Sequence, residues 1–220
     1  MSKENEKTVE VYKEKASIYI QTGIKHDNLH FEKAQKKRKK LENFIKKNLE
    51  LFPKNITVFE IGSGDGTNAK YMKDLGYKVI GSDIADAFIR NSISKGIETI
   101  KFNVLKDEFL EKYFVIFCWR VFVHFTKEDL EKTLKKVYGN LENNGLFIFN
   151  VMNREVHNVD EEWVDFSNEY HMGAERYYRY FTEKELNEII YKIGYQINSF
   201  HKEGGENNNK WLVYVLEKKI

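Results

Sequence analysis

Apolar positions in the first fifty residues recur every three or four places. Phe31, Ala34, Arg38, Leu41 and Ile45 fall on one side of a helical projection, with Phe44 and Leu49 beside them, the pattern of a helix with one face turned to a core. Residues 1–52 therefore read as a polar, helical cover ahead of a second unit spanning 53–220. After Pro53 the period changes. Ile56–Ile61, Lys78–Ser82, Thr99–Phe102, Tyr113–Cys118 and Leu146–Phe149 are short β-rich runs, separated by amphipathic stretches at Thr67–Leu75, Ala85–Ser94 and the segment opened by Thr126. Thr126-x-x-Asp129 and Thr182-x-x-Glu185 have the spacing of helix-capping boxes. Alternating strands and helices predict an α/β fold, a doubly wound parallel sheet with helices on both faces. Gln196–Phe200 and Trp211–Leu216, joined by a Gly/Asn-rich turn, predict a terminal antiparallel pair. Residues 151–180 break the order as an aromatic, charged insertion, and such segments in compact domains are often functional.

Composition removes several classes. A chain of 220 residues with one cysteine, Cys118, has no intrachain disulfide, which suits a reducing cytoplasm. No apolar run is long enough for a transmembrane helix or placed as a signal peptide. The net charge of +2 divides unevenly: residues 1–50 carry 13 Lys and Arg against 8 Asp and Glu, and the other 170 carry 23 against 26. This balance argues against a surface built to bind polyanions, and Lys36–Lys40 reads as the solvated side of a helix.

The chemistry concentrates at Gly62-Ser63-Gly64-Asp65-Gly66, between the first strand and its helix. Glycines at such a turn let backbone approach a ligand closely. Asp83 ends the next strand 21 residues after Gly62, where an acid can accept hydrogen bonds from both hydroxyls of a ribose. Glu60 and Asp65 flank the turn. Two like charges about 6 Å apart repel by roughly 2–3 kcal/mol at an effective dielectric of 20, which disfavours a pyrophosphate and favours a nucleoside with a cationic end. His26 and His30 lack a third partner at a useful spacing, so no metal site is expected. The sequence contains neither a Gly-x-x-x-x-Gly-Lys phosphate loop nor a Gly-x-Ser-x-Gly nucleophile elbow.

Val58-Phe59-Glu60-Ile61-Gly62-Ser63-Gly64-Asp65-Gly66-Thr67 resembles the first motif of class I S-adenosylmethionine-dependent methyltransferases. Asp83 resembles their ribose-binding acid, and Leu141-Glu142-Asn143-Asn144-Gly145-Leu146-Phe147 their approach to the fifth strand. The resemblance implies a seven-stranded, mostly parallel sheet with an antiparallel last strand, and S-adenosylmethionine across the carboxyl ends of strands one to four. It assigns Gly62, Ser63 and Gly64 to the methionine portion and Glu60 to its amino group. Asp83 takes the ribose, Ile84, Asn103 and Val104 the adenine, and Cys118 and Trp119 the sulfonium.

His124, in Arg120-Val121-Phe122-Val123-His124-Phe125-Thr126 after strand four, is the candidate base, since an imidazole titrates near neutrality. The acceptor is expected between the N-terminal segment and the insertion. Arg120, Arg176, Tyr178 and Tyr19 are its candidate partners, and Tyr12, His26, His30, Tyr170 and His171 lie in the same segments. Aromatic rings with arginine forks suggest a flat or acidic small molecule. Alternatives are an RNA or protein acceptor, or a cofactor-binding protein without catalysis. The Asn/Asp-Pro-Pro-aromatic motif of nucleobase-modifying relatives is replaced here by Cys118-Trp119-Arg120-Val121, so a nucleic-acid partner is not expected.

Overall fold

The sheet is organised around β1 (Thr57–Ile61), parallel to β2 (Lys78–Asp83) on one edge and to β4 (Tyr113–Cys118) on the other. This computed structural model describes residues 1–165, 173–204 and 209–219, without the side chains of His26, Asp27 and Leu29. Outside β2 lies β3 (Glu98–Lys101), and outside β4 lies β5 (Leu141–Asn153), both parallel to their neighbours. The chain therefore winds outward in both directions from between β1 and β4. At such a switch point the carboxyl ends of the strands diverge and leave a crevice for a ligand. At the far side β9 (Trp211–Glu217) runs antiparallel along β5, and β8 (Gln196–Glu203) pairs antiparallel with β9.

Period-two alternation sends successive side chains of β1 and β4 to opposite faces. Val58, Val115 and Phe117 pack with Ala69 and Met72 of α3 (Thr67–Asp74). Phe59 and Ile116 pack with Leu130 and Leu134 of α5 (Lys127–Asn140) and with Leu186 and Ile190 of α6 (Glu183–Ile193). Thr126 and Thr182 cap α5 and α6, each accepting from the backbone N–H three residues on at 3.2 Å. The predicted N-terminal helices are α1 (Lys3–Leu29) and α2 (Phe31–Leu49). Ile45 and Leu49 insert into the α3 side of the core, but Phe31, expected on the buried face, is 58% exposed because α2 reaches the core only at its C-terminal end. Among the described residues no helix is long and apolar enough to cross a membrane.

Among the described residues the sheet has nine strands, not seven. The two additional strands come from the insertion expected to be irregular: β6 (Glu161–Val164) and β7 (Arg176–Phe181) form an antiparallel hairpin. β7 also pairs in parallel with Met152 and Asn153 at the end of β5. β9 already holds one edge of β5 at Met152, so β7 takes the edge that faces β4, just beyond where β4 stops. The hairpin thus roofs the carboxyl ends of the central strands, and α1 packs against β7 and α4 (Asp86–Ser94) beside it.

Candidate active site

Three left-handed glycines shape the turn after β1: Gly62 at φ 66°, Gly64 at φ 55° and Gly66 at φ 79°. A side chain is disfavoured there by backbone sterics alone. The surroundings of Gly62 and Gly64 differ. A Cβ on Gly62 would lie 2.3 Å from Cγ2 of Val121, whereas nothing stands within 4 Å of one on Gly64. Gly64 faces open space. Ser63 donates its N–H to the carbonyl of Ser82 at 2.7 Å, tying the turn to the end of β2.

Asp83 sits across from this turn and accepts three backbone N–H bonds, from Gly64 at 2.9 Å, Ile84 at 2.8 Å and Ala85 at 3.0 Å. Burial pushes its carboxyl above the ordinary value despite those bonds. A carboxylate offers about four acceptor positions, so a ribose hydroxyl can share the oxygen that Gly64 now holds. Asp65 is engaged differently. Burial raises it, but Lys95 at 2.6 Å and the Thr67 hydroxyl outweigh this and hold its carboxyl below the usual range.

Glu60 is 1% exposed at the end of β1. Its Oε1 accepts from Nδ2 of Asn68 at 3.2 Å, and its Oε2 is buried without a partner among the described residues. Desolvation lifts this carboxyl to about 8, against the lowering effects of Asn68 and Arg38. A second support comes from α2: Arg38 donates to Oδ1 of Asn68 at 2.6 Å and to the Thr67 carbonyl at 3.1 Å. An unfilled acceptor in a dry position is what an ammonium group would complete. Past the ends of β2 and β3, a cavity of about 680 Å³ is lined by Ile84, Lys101, Phe102 and Asn103 and by Val9, Glu10 and Lys13 from α1. That volume suits a nucleoside. The Asn103 oxygen accepts from the Leu105 N–H at 3.0 Å, and its Nδ2 points to the Met1 sulfur at 3.6 Å. The residues therefore fit S-adenosylmethionine: acceptors for an ammonium and a ribose, and a nucleoside-sized cavity where Ile84, Phe102 and the Asn103 amide can meet adenine.

Three candidates lie elsewhere. Val104 is buried in the α5–α6 side of the core. Trp119, expected beside a sulfonium, stacks on Phe117 with ring centres 5.6 Å apart and touches Phe44 of α2. Strand alternation explains this: residues 117 and 119 face α2, while Cys118 faces the other way, its thiol pushed well up by burial and the nearby Glu60. Arg120 has a left-handed backbone, φ 61°, and an exposed side chain that lies over the Trp211 ring at 5.3 Å. Its backbone matters more, because the N–H donates to Oδ1 of the buried Asn150 at 2.7 Å and the reversal sets Val121 against Gly62.

His124 ends the short 3₁₀ turn Phe122–His124 and is 7% exposed. Its Nδ1 lies 2.7 Å from the carbonyl of Tyr177, and its Nε2 lies 2.9 Å from the hydroxyl of Tyr12. A carbonyl only accepts, so Nδ1 carries the hydrogen. Burial, aided by the charge of Arg176, lowers the imidazole to about 3. The ring is neutral, Nε2 is an acceptor, and the Tyr12 hydroxyl donates to it. Arg176 in turn donates from NH1 to the Tyr12 oxygen at 3.0 Å. Tyr178 packs edge-on to the imidazole at 4.7 Å, and Tyr19 packs edge-on to Phe88 at 5.7 Å. The fold thus brings together His124, Arg176, Tyr178, Tyr19 and Tyr12. Tyr170 and His171 lie outside the described residues, as does the side chain of His26. Asn5, Thr8, Tyr12, Ala16 and Tyr19 recur at helical spacing, a stripe that singles out this face of α1 where hydropathy does not.

A mostly parallel sheet with a switch point, a glycine turn, a buried acid at the end of β2 and a buried carboxyl oxygen beside that turn together give a Rossmann-like protein suited to a nucleoside. A model of the methyltransferase domain matches residues 32–199. The chain belongs to that family and is a class I S-adenosylmethionine-dependent methyltransferase. No curated protein is significantly similar to it in sequence. Among solved structures, a S-adenosylmethionine-dependent methyltransferase of Clostridium acetobutylicum superposes with a TM-score of 0.69 at 13% identity, covering 83% of this chain and 92% of that one. A Pyrococcus horikoshii protein gives 0.68 at 20% identity over 84% and 92%. The magnesium protoporphyrin IX methyltransferase of Synechocystis, solved with bound S-adenosylmethionine, gives 0.63 at 12% identity over 84% and 79%.

Proposed function

We propose that the chain methylates an oxygen or nitrogen atom of a small molecule in the cytoplasm. The observation that carries this reading is the burial of His124 between α1 and β7, the strand that carries the buried Arg176. A roofed site with aromatic walls suits a small acceptor better than an RNA or protein surface. The buried free thiol of Cys118 supports a reducing compartment.

When bound, S-adenosylmethionine supplies a methyl group activated on a sulfonium. Glu60 completes the ammonium contact, Asp83 the ribose contact, and Ile84 and Asn103 the adenine contact. Gly62, Ser63 and Gly64 keep the turn close to the ligand. His124 is the base. An acceptor proton passes to the Tyr12 oxygen as the Tyr12 hydrogen moves to Nε2 of His124, and the Tyr177 carbonyl steadies the resulting imidazolium through Nδ1–H. The chain's remaining contribution is alignment and exclusion of water. The test is incubation with methyl-labelled S-adenosylmethionine and a metabolite extract. Label is expected in one low-molecular-weight product, and S-adenosylhomocysteine, but not NAD, is expected to raise Tm. Absence of transfer to any acceptor, or label in RNA or protein, overturns the reading.

A further inference from the structure

Arg176 opens β7 and is 2% exposed, the one buried arginine among the described residues. The better exposed Arg179 of the hairpin, Arg154 after β5 and Arg38 of α2 each have a carboxylate: Arg179 pairs with Glu185, Arg154 with Asp160 and Arg38 with Glu42. Arg176 has none among the described residues. Its hydrogen bond is from NH1 to the neutral Tyr12 hydroxyl at 3.0 Å, and its Nε–H is buried with no partner. The rings of Tyr12 and Tyr178 each stand 5.6 Å from the guanidinium carbon. Ring faces attract a cation, but they do not replace a counter-ion: an unpaired buried charge is costly, and an apolar side chain of similar volume would serve packing better. The charge sits one residue from the carbonyl that holds His124 and one hydrogen bond from Tyr12.

We infer that Arg176 is the anchor for the acceptor, and that the acceptor is a small monocarboxylic acid with a flat apolar body. The inference rests on the reading of the roofed cleft as the acceptor site. A planar guanidinium with unused N–H groups matches the two oxygens of a carboxylate. The described residues that touch the guanidinium, Tyr12 and Tyr178, bring no second cation, so the site balances one negative charge and would leave a phosphate dianion half-neutralised. Tyr12, Tyr178, Tyr19 and Phe88 supply the aromatic surroundings for the body.

The experiment is calorimetric titration of the chain, with and without saturating S-adenosylhomocysteine, using phenylacetate and indole-3-acetate, their neutral amides, and phenyl phosphate. Each acid is expected to bind at least about tenfold more tightly than its amide. In Arg176→Met that preference is lost, in Arg176→Lys part of it returns, and the affinity for S-adenosylhomocysteine stays within about twofold in both. The ligand-free Arg176→Met variant is expected to melt no lower than the wild type, which a structurally required arginine would not permit. Acids binding no better than amides, a preference that survives Arg176→Met, or phenyl phosphate binding more tightly than the acids overturns the inference. Failure of S-adenosylhomocysteine to bind counts against the methyltransferase reading alone, and the titrations without it still judge the carboxylate.

Discussion

The phenol oxygen of Tyr12 lies 2.9 Å from Nε2 of His124, across 112 positions of sequence. On the other side of the ring Nδ1 is fixed to the carbonyl of Tyr177, whose own N–H donates to Oγ1 of Thr8 at 3.0 Å. Asn5 donates to the His124 carbonyl at 3.2 Å. Helix α1 therefore contributes to the imidazole's position from three of its residues, and β7 from two, Tyr177 by its carbonyl and Tyr178 by its edge-on ring. The N-terminal helix holds the imidazole in place as well as covering it.

Tyr12→Phe removes the hydroxyl between Arg176 and His124 and leaves the ring in place. The kcat is expected to fall about 10–100-fold, within the range contributed by acid–base groups. The loss of its two hydrogen bonds, to His124 and from Arg176, costs about 1–3 kcal/mol of stability. Initial rates with the acceptor, alongside calorimetry with S-adenosylhomocysteine, separate the two effects, since cofactor affinity is expected to hold. An unchanged kcat would remove Tyr12 from the proton path.

Strand and helix order through residue 149, both threonine caps and the glycine turn were legible because each is a local signal: period, capping spacing, a Gly-x-Gly string. The hairpin at Glu161–Val164 and Arg176–Phe181 was not legible. Its aromatic and charged residues lack alternation, since β7 is buried along nearly its whole length and gives no polar face to mark it. Asp83 could be located from spacing, whereas the partner of His124 could not, because pairing Tyr12 with it depends on how α1 crosses the sheet. Trp119 shows the opposite limit: its type suited a sulfonium, but strand parity turned it toward Phe44.

Stability of the ligand-free chain is expected to decline as pH rises from 6.5 to 8. Folded Glu60 holds a proton up to about 8, whereas an unfolded glutamate loses it near 4.5. Across that window the folded state binds the extra proton, so rising pH favours unfolding by up to about 1.4 kcal/mol per unit. His124 has the opposite sign below 6.5, where the unfolded ring takes a proton that the folded ring, at about 3, refuses. The two offset each other between 4.5 and 6.5 and leave Glu60 exposed to pH above it. Urea denaturation between pH 6.5 and 8 checks this, and Glu60→Gln is expected to flatten the profile. Binding of S-adenosylhomocysteine near pH 7 is expected to release a proton as Glu60 ionises.

Arg38→Ala breaks three bonds from α2: to Asn68, to the Thr67 carbonyl and to Glu42. Asn68 then holds Glu60 less firmly, and the carboxylate loses a favourable positive charge. Affinity for S-adenosylhomocysteine is expected to drop about 3–10-fold, in keeping with the loss of supporting bonds behind a ligand-binding group. Its pH dependence should move to higher pH, a shift that mere loosening of α2 would not produce. Lys39→Ala, on the exposed side of the same helix, is expected to change neither. Equal effects from both variants would show that α2 acts through its overall charge.

Gly62→Ala meets two separate obstacles. One is the left-handed backbone at φ 66°, worth about 1–2 kcal/mol for any residue with a Cβ. The other is Cγ2 of Val121, 2.3 Å from where that Cβ would stand. Val121 is held there by the reversal at Arg120, itself pinned to Asn150, so it has little freedom to retreat. The single substitution is expected to cost about 2–4 kcal/mol, combining backbone strain with overpacking. Val121→Ala removes Cγ2 and with it the clash, but leaves the backbone term. The double variant is therefore expected to recover about 1–2 kcal/mol relative to the sum of the singles, a coupling size typical of touching side chains. Urea unfolding of all four proteins measures that coupling. Additive costs would show that the backbone alone excludes a side chain at position 62 and that Val121 is a bystander.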